Sequence, residues 1–136
     1  MSVNKLYHNY CLLFGKDNPL SLKLRFASGG ENKVITEFTC KSFMQGYDGI
    51  LHGGVIMALL DSAMTNCIFQ NNSQALTARM SVQFVQPIPA NATIVISAEI
   101  VKSINTLFVV KSKIENNNEL MATAEAKFIK FKCKKE

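Results

Sequence analysis

The segment Gly46–Met64, which reads GYDGILHGGVIMALLDSAM, is the most informative part of this chain. Its glycine-rich loop ends in His52-Gly53-Gly54 and leads directly into an apolar helix that carries a single carboxylate, Asp61. The first N–H groups of a helix have no intrahelical partner and carry a partial positive charge, so they attract negative charge that develops nearby. An acid about two turns further along the helix can act on the group that these donors hold. The segment therefore indicates a reactive site as well as a helix.

Alternating apolar and polar residues on both sides of this segment predict strands with one buried face. The helix is expected from Gly53 to Gln70, because Asn71-Asn72-Ser73 tolerates the left-handed backbone that ends helices. Ser28–Asn32 is predicted as the turn of a first hairpin. Two strands, one long helix and four strands predict an α+β fold rather than a parallel sheet. The predicted strands are Leu20–Phe26, Lys33–Cys40, Leu76–Phe84, Thr93–Ile100, Leu107–Ile114 and Leu120–Phe128.

The last predicted strand carries small side chains on its apolar face. Ala122, Ala124 and Ala126 alternate there between Leu120 and Phe128, and they leave space that a bulky neighbour must fill. The helix rises about 1.5 Å per residue, so it is long enough to cross such a sheet. We therefore expect a long central helix wrapped by a curved antiparallel sheet of five to six strands.

Length and composition limit the class of protein. The chain has 136 residues, 48% of them apolar, and is expected to form a single domain over residues 1–136. No apolar run reaches the roughly 18 to 20 residues that cross a bilayer. Tyr7 and His8 interrupt the apolar character of the N-terminus, which argues against a secretion signal. The expectation is a cytoplasmic protein with no membrane partner.

Charge and cysteine content point away from nucleic acid, metals and disulfides. The net charge of +5 is concentrated near the C-terminus, where it indicates either attraction to a polyanion or a solvated tail. No aromatic pattern suited to base stacking accompanies it, so nucleic acid is not an expected partner. The scattered cysteines form no Cys-x-x-Cys pair, which predicts reduced thiols and no metal site, with Cys67 in the core. The cysteines are Cys11, Cys40, Cys67 and Cys133, and the late lysines are Lys127, Lys130, Lys132, Lys134 and Lys135.

One stripe of the helix is open to two interpretations. Gly54, Ala58, Asp61 and Thr65 share a narrow face, and most of them are small enough to allow close approach. A second helix across a dimer interface or a slender substrate would fit there. The plainer interpretation makes Asp61 a solvated residue on the polar edge that also carries Ser62.

The loop residues before the helix have two interpretations as well. His52 is expected to cap the helix or brace the loop by hydrogen bonds, with the glycine amides beside it supplying the electrostatic effect. Alternatively, Gly53 and Gly54 serve backbone geometry alone. Each residue is weak evidence by itself, and the joint spacing is what favours a site.

Taken together, these motifs resemble the hotdog-fold acyl-CoA thioesterases of the PaaI-like group. The centre of the resemblance is His52-Gly53-Gly54, followed by six residues and then Asp61. It extends to the preceding loop, Gln45–Leu51, and to the strand Thr77–Phe84 with Pro87 after it. An N-terminal set is also similar to the one that many members carry, namely Cys11, Gly15, Asn18-Pro19 and Leu22.

The resemblance implies a homodimer that pairs again as a homotetramer, with each site built from the helix start of one chain and the acid of the other. The matching acid is Asp61, and the amide at Gly53 matches the group that polarises the thioester carbonyl. His52 matches the residue that shapes the loop, and Thr77 matches a hydroxyl that orients the acid or the attacking water. The residues expected at the substrate are Gln45, Gly54, Ser62, Thr65 and Arg79.

These roles predict an acyl-CoA thioesterase that needs no separate cofactor, since coenzyme A is part of the substrate. Asp61 acts as general base or as nucleophile, and the sequence leaves both routes open. Arg79 and the late lysines are candidate contacts for the coenzyme A phosphates. No Gly-x-Ser-x-Gly motif is present, which disfavours the α/β-hydrolase route. The alternatives are a non-catalytic acyl-CoA-binding hotdog protein, acting as sensor or carrier, and a dehydratase, which needs a His-centred pair from His8 and His52.

Overall fold

The structure is a computed structural model and describes residues 8–130. The element order of the prediction is confirmed: two strands, one long helix and four strands. Helix α1 spans Gly53–Gln70, as the sequence predicts, and a short 3-10 helix at Ser42–Met44 precedes it. The strands are β1 Ala27–Gly30, β2 Lys33–Thr39, β3 Ala75–Phe84, β4 Thr93–Ile104, β5 Leu107–Asn116 and β6 Glu119–Lys130.

The six strands form one sheet in the order β1-β2-β4-β5-β6-β3, and every neighbouring pair is antiparallel. Helix α1 packs across one face of this sheet, called the inner face below. Ala122, Ala124 and Ala126 are buried on that face, as expected for small residues beneath a helix. The helix contributes its own fully buried side chains to the core: Leu59, Leu60, Ala63, Met64 and Cys67.

The prediction of a first strand at Leu20–Phe26 is wrong, because the first strand begins at Ala27. Leu20 is 76% exposed, whereas Leu24 is 3% exposed and lies in the core. A positive φ of 56° at Lys23 interrupts the extended run. The N–H groups of residues 22 and 24 donate to carbonyls of residues 12 and 13, so the N-terminal segment takes the place of a sheet neighbour. The predicted turn at residues 28–32 shortens to residues 31 and 32.

The sheet contains bulges, which bend a strand and increase its local twist. In β6 the extra residue is Met121, since Ala122 pairs with Ile114 and Leu120 pairs with Glu115. Leu120 therefore leaves the alanine face on which the sequence placed it, and Met121 is buried instead. A second bulge, in β3, lies between Thr77 and Arg79 and determines which face of the sheet Thr77 occupies.

Three cysteines fall within the described residues: Cys40 and Cys67 are buried, Cys11 is half-buried, and all three are free thiols. The core position predicted for Cys67 is confirmed. Within residues 8–130 no three His, Cys, Asp or Glu side chains gather as a metal site would require. In the same range, no helix combines the length and apolar character of a membrane span. The predictions on residues 1–7, and on Lys132, Cys133, Lys134 and Lys135, lie outside the described residues.

Candidate active site

The start of α1 presents an unused backbone donor. His52 caps the helix with an extended backbone, and its Nδ1 accepts a hydrogen bond from the Gly54 N–H at 2.8 Å. Its carbonyl accepts the Ile56 N–H, which closes the first turn. Among the hydrogen bonds of residues 8–130, none uses the N–H of Gly53. The structure thus gives His52 the bracing geometry expected of it, and it leaves the amide of Gly53, rather than that of Gly54, open to a ligand.

The loop before the helix is held tightly by its own hydrogen bonds. The Oε1 atom of Gln45 accepts the N–H of Gly49, which has a positive φ of 80°. Gln45 therefore braces the loop, and its predicted contact with substrate stays a prediction. A Cβ placed on Gly46 would lie 3.4 Å from the His52 ring, so the glycine there leaves room for the imidazole.

Asp61 lies in the middle of α1 and receives a hydrogen bond from β3. The Oγ1 atom of Thr77 donates to its Oδ1 at 2.7 Å. Burial raises the pKa of Asp61 above its ordinary value of 3.8, and the hydrogen bond from Thr77 opposes part of that rise. No lysine or arginine within residues 8–130 forms an ion pair with the carboxylate. A half-buried acid with a raised pKa and a hydroxyl aligned on it is typical of a catalytic base, which argues against the interpretation as a solvated edge.

The position of Thr77 depends on the β3 bulge. Strict alternation places Thr77 on the same face as Arg79, which is wrong. The bulge sets Thr77 opposite the buried Phe128 on the inner face, while Arg79 stands opposite Lys127 on the outer face. Without that extra residue the hydroxyl would point away from Asp61. The hydrogen bond from Thr77 to Asp61 agrees with the partner that the resemblance implies for the acid, whereas the strand pattern alone places Thr77 on the opposite face. The catalytic role of Thr77 stays a prediction.

The remaining predicted substrate residues do not all gather at this point. Ser62 is buried, and its hydroxyl donates to the Leu59 carbonyl at 2.8 Å. Thr65 is half-buried, on the helix stripe that also carries Asp61. Arg79 is exposed on the outer face, away from Thr77. The substrate contacts of these three residues stay predictions.

Two residues near the helix start had no role in the sequence analysis. The ring of Phe84, at the end of β3, would lie 3.7 Å from a Cβ placed on Gly53. Tyr47 lines a cavity that opens at Gly53. The signal available for Tyr47 was an aromatic residue within a glycine-rich loop. Phe84 offered none beyond its place in an alternating strand.

Gly53 and Asp61 do not meet within one chain. They are eight residues apart on the same helix, and a rise of about 1.5 Å per residue separates them by about 12 Å along its axis. A thioester carbonyl held at Gly53 is therefore out of reach of the carboxylate on the same helix. Within a single chain, Gly53 and Asp61 therefore cannot contact the same small group.

Known proteins resemble this chain over most of its described length. Acyl-coenzyme A thioesterase THEM4 of Rattus norvegicus is 27% identical over 108 residues, which make up 78% of this chain and 46% of that protein. The chain thus spans less than half the length of this curated relative.

Two solved structures show the fold. A hypothetical thioesterase of Streptococcus pneumoniae TIGR4, solved with coenzyme A, has a TM-score of 0.76 at 16% identity and covers 82% of this chain and 88% of its own. That protein has also been solved with an aspartate and a threonine, 16 residues apart, each replaced by alanine. The E. coli PaaI protein has a TM-score of 0.76 at 19% identity, over 82% of either chain.

The family itself follows from the sequence. Residues 48–122, more than half of the chain, match the sequence model of the Thioesterase superfamily. The predicted hotdog fold, and the resemblance to PaaI-like thioesterases on which it drew, are confirmed. The chain belongs to the thioesterase superfamily.

Proposed function

We propose that the protein hydrolyses acyl-CoA thioesters at a site that two copies of the chain share. The observation that carries this proposal is the Asp61 carboxylate with its raised pKa and its bond from Thr77, on a helix whose first amide is free. The names of the relatives support the substrate class, since one is an acyl-CoA thioesterase and another was solved with coenzyme A. The substituted aspartate and threonine of the Streptococcus pneumoniae protein have the same separation as Asp61 and Thr77.

Strand β3 supplies the geometry for a shared site. It forms one edge of the sheet, and it runs from Thr77, beside Asp61, to Phe84, beside Gly53. If two β3 edges pair antiparallel about a two-fold axis that passes between residues 80 and 81, Thr77 of one protomer stands opposite Phe84 of its partner. The acid of one chain then lies near the free amide of the other.

Exposed apolar side chains along this edge favour such pairing. Leu76, Phe84 and Val85 are each half or more exposed in the single chain. A long, flat, apolar edge strand is prone to pair with another chain, because its backbone donors and acceptors have no neighbour. A homodimer joined through β3 satisfies those groups and extends the sheet. Further pairing into a tetramer stays a prediction.

The chemistry follows from these positions. The N–H of Gly53 donates to the thioester carbonyl oxygen and stabilises the charge that develops on it. Asp61 of the other protomer takes a proton from a water molecule, whose oxygen attacks the carbonyl carbon. The carbon–sulfur bond then breaks, and the proton passes to the departing coenzyme A sulfur. Direct attack by Asp61, which gives a mixed anhydride that water cleaves, is the second route that the geometry allows.

Replacing Thr77 by valine is expected to move the acid limb of the pH profile. The active form of Asp61 is deprotonated, so kcat/KM falls as the pH drops through its pKa. The Thr77 hydrogen bond lowers that pKa, so its loss raises the pKa further and shifts the acid limb to higher pH. Steady-state rates between about pH 4 and pH 8 measure the shift.

Thr77→Ser is the matched control, because it keeps the hydroxyl and should keep the acid limb where the wild type has it. An acid limb in Thr77→Val that stays in place or moves to lower pH would contradict the assignment of Asp61 as the titrating group.

The function itself is tested by release of free thiol from a panel of acyl-CoAs with short, long and aromatic acyl groups. Hydrolysis of at least one member supports a thioesterase. Binding of a member with no cleavage would support the acyl-CoA-binding alternative instead. The dehydratase alternative finds no support in the geometry, because the His8 ring meets the Phe69 ring edge to face near the far end of α1, while the Nδ1 of His52 accepts the Gly54 N–H.

A further inference from the structure

A cavity of about 440 Å³ opens at the free amide of Gly53. Its volume lies within the range of small-molecule sites, which is about 300 to 1,000 Å³. No lysine, arginine, aspartate or glutamate lines it. The lining residues are Gly46, Tyr47, Ile50, Leu51, His52 and Gly53.

The backbone of the residues that line the cavity has few N–H donors left for a ligand. The N–H groups of Gly46 and Ile50 donate to carbonyls within the loop, at 2.9 and 3.0 Å. Those of Leu51 and His52 donate to carbonyls of residues 88 and 44. The N–H of Gly49 is bonded to the side chain of residue 45. The amide groups of the pantetheine arm of coenzyme A would find few hydrogen-bond donors on this surface, whereas an acyl chain needs none.

Tyr47 projects from this hydrogen-bonded loop. Its side chain is 86% exposed, while its own carbonyl accepts the N–H of Ile50 and keeps the loop closed. A tyrosine on a fixed backbone offers a large contact area at low entropic cost, since only two side-chain torsions need to be ordered. Ile50, which is 36% exposed, extends the apolar surface towards Pro89.

We propose that Tyr47 is the wall of the acyl pocket and determines the choice of acyl group. The inference rests on the proposed function, because it assumes that the thioester carbonyl binds at Gly53. With the carbonyl there, the acyl chain extends into the cavity against the Tyr47 ring, and the pantetheine arm leaves on the other side. The preferred substrate then carries an uncharged, apolar acyl group long enough to reach the ring. Asp48, in the same exposed loop, disfavours acyl groups that end in a carboxylate.

The test compares kcat/KM for octanoyl-CoA, acetyl-CoA and succinyl-CoA. Tyr47→Ala is expected to lose about tenfold or more on octanoyl-CoA, the scale on which one apolar contact discriminates substrates. Acetyl-CoA does not reach the ring, so its kcat/KM should stay within about twofold. Tyr47→Phe keeps the apolar wall and should keep octanoyl-CoA hydrolysis. The matched control is Phe43→Ala, which removes an aromatic side chain that is 75% exposed but lies outside the cavity lining.

Several results would overturn the inference while leaving the thioesterase intact. If Tyr47→Ala lowered kcat/KM equally for octanoyl-CoA and acetyl-CoA, Tyr47 would not discriminate between acyl chains. A loss in Tyr47→Phe as large as in Tyr47→Ala would make the hydroxyl the determinant. Preference of the wild type for succinyl-CoA would contradict an apolar pocket.

If the wild type hydrolyses neither these three substrates nor any other member of the acyl-CoA panel, the proposed function fails and calorimetric binding decides the inference. A tenfold weaker affinity of Tyr47→Ala for octanoyl-CoA, with unchanged affinity for free coenzyme A, would still support an acyl wall. Equal affinity of wild type and variant for octanoyl-CoA would overturn it.

Discussion

Gly53→Pro is expected to lower kcat for acyl-CoA hydrolysis by about 100- to 1,000-fold, the usual effect of losing one oxyanion donor. Proline lacks the N–H that Gly53 leaves unused within the described chain, so no internal hydrogen bond is lost. The first helical position tolerates proline well. His52 already has the extended backbone, with ψ of 134°, that a residue before proline adopts. The fold should therefore survive while the donor disappears.

The matched control for this variant is Gly53→Ala. A Cβ at this position meets the Phe84 ring at 3.7 Å, an ordinary contact, and the N–H remains. Gly53→Ala should keep most of the activity, and both variants should keep the thermal transition of the wild type. A Gly53→Pro protein that folds and retains wild-type turnover would show that another group stabilises the charge on the carbonyl oxygen.

Asp61→Asn is expected to lower kcat by on the order of 1,000-fold, within the range that general bases contribute.

The same variant should be more stable than the wild type at pH 7. Burial raises the folded-state pKa of Asp61 above 3.8, so the protonated side chain favours the folded protein. This contribution to the free energy of unfolding is fully present below pH 3.8. It is lost as the pH rises through the folded-state pKa. Asparagine removes the cost of the buried charge, and Thr77 can still donate to its amide oxygen.

Thiol release and thermal unfolding at pH 7 and pH 4 measure these two effects. The stability difference should be larger at pH 7, where Asp61 is charged. Asp17→Asn is a control, because Asp17 is an exposed acid outside the site and its loss should change neither quantity. Near-normal turnover in a folded Asp61→Asn protein would remove Asp61 from the mechanism.

The helix and the sheet arrangement were predictable because local signals agree. Paired glycines begin α1 and asparagines end it, with Asn72 in the left-handed region at φ of 61°. Between them the residues are apolar on most sides, as in a helix covered by a sheet. The strands β2, β4 and β5 alternate regularly along most of their length, so one face could be assigned to the core.

Two errors have a shared cause, which is that alternation carries no information about the neighbouring chain segment. Leu20–Phe26 alternates like a strand, but the N-terminal segment supplies its hydrogen-bond partners. The β3 bulge adds one residue without changing the composition, so the sequence places Thr77 on the wrong face. The pairing partner of residues 20–26 and the face that Thr77 occupies both depend on how chain segments pair in the folded protein. Alternation within one segment does not determine that pairing.

The parts of the candidate site were predictable from the sequence, and the resemblance also implied that two chains share them. The spacing of Gly53 and Asp61 marks both residues, and the resemblance assigns their roles. The separation of about 12 Å between Gly53 and Asp61 follows from a straight and continuous helix. The position of Tyr47 depends on the hydrogen bonds that fix the surrounding loop. No pattern in the sequence predicts those bonds.

The shared site is tested most directly by mixing the two inactive variants, Gly53→Pro and Asp61→Asn, and allowing subunits to exchange. In a two-fold dimer, each hybrid has one site with a normal Gly53 and a normal Asp61 and one site that lacks both. At equal amounts, random pairing makes about half of the dimers hybrid and restores about one quarter of wild-type activity. A site shared between two chains predicts that recovery, and a mixture that exchanges subunits but stays as inactive as its components would exclude such a site.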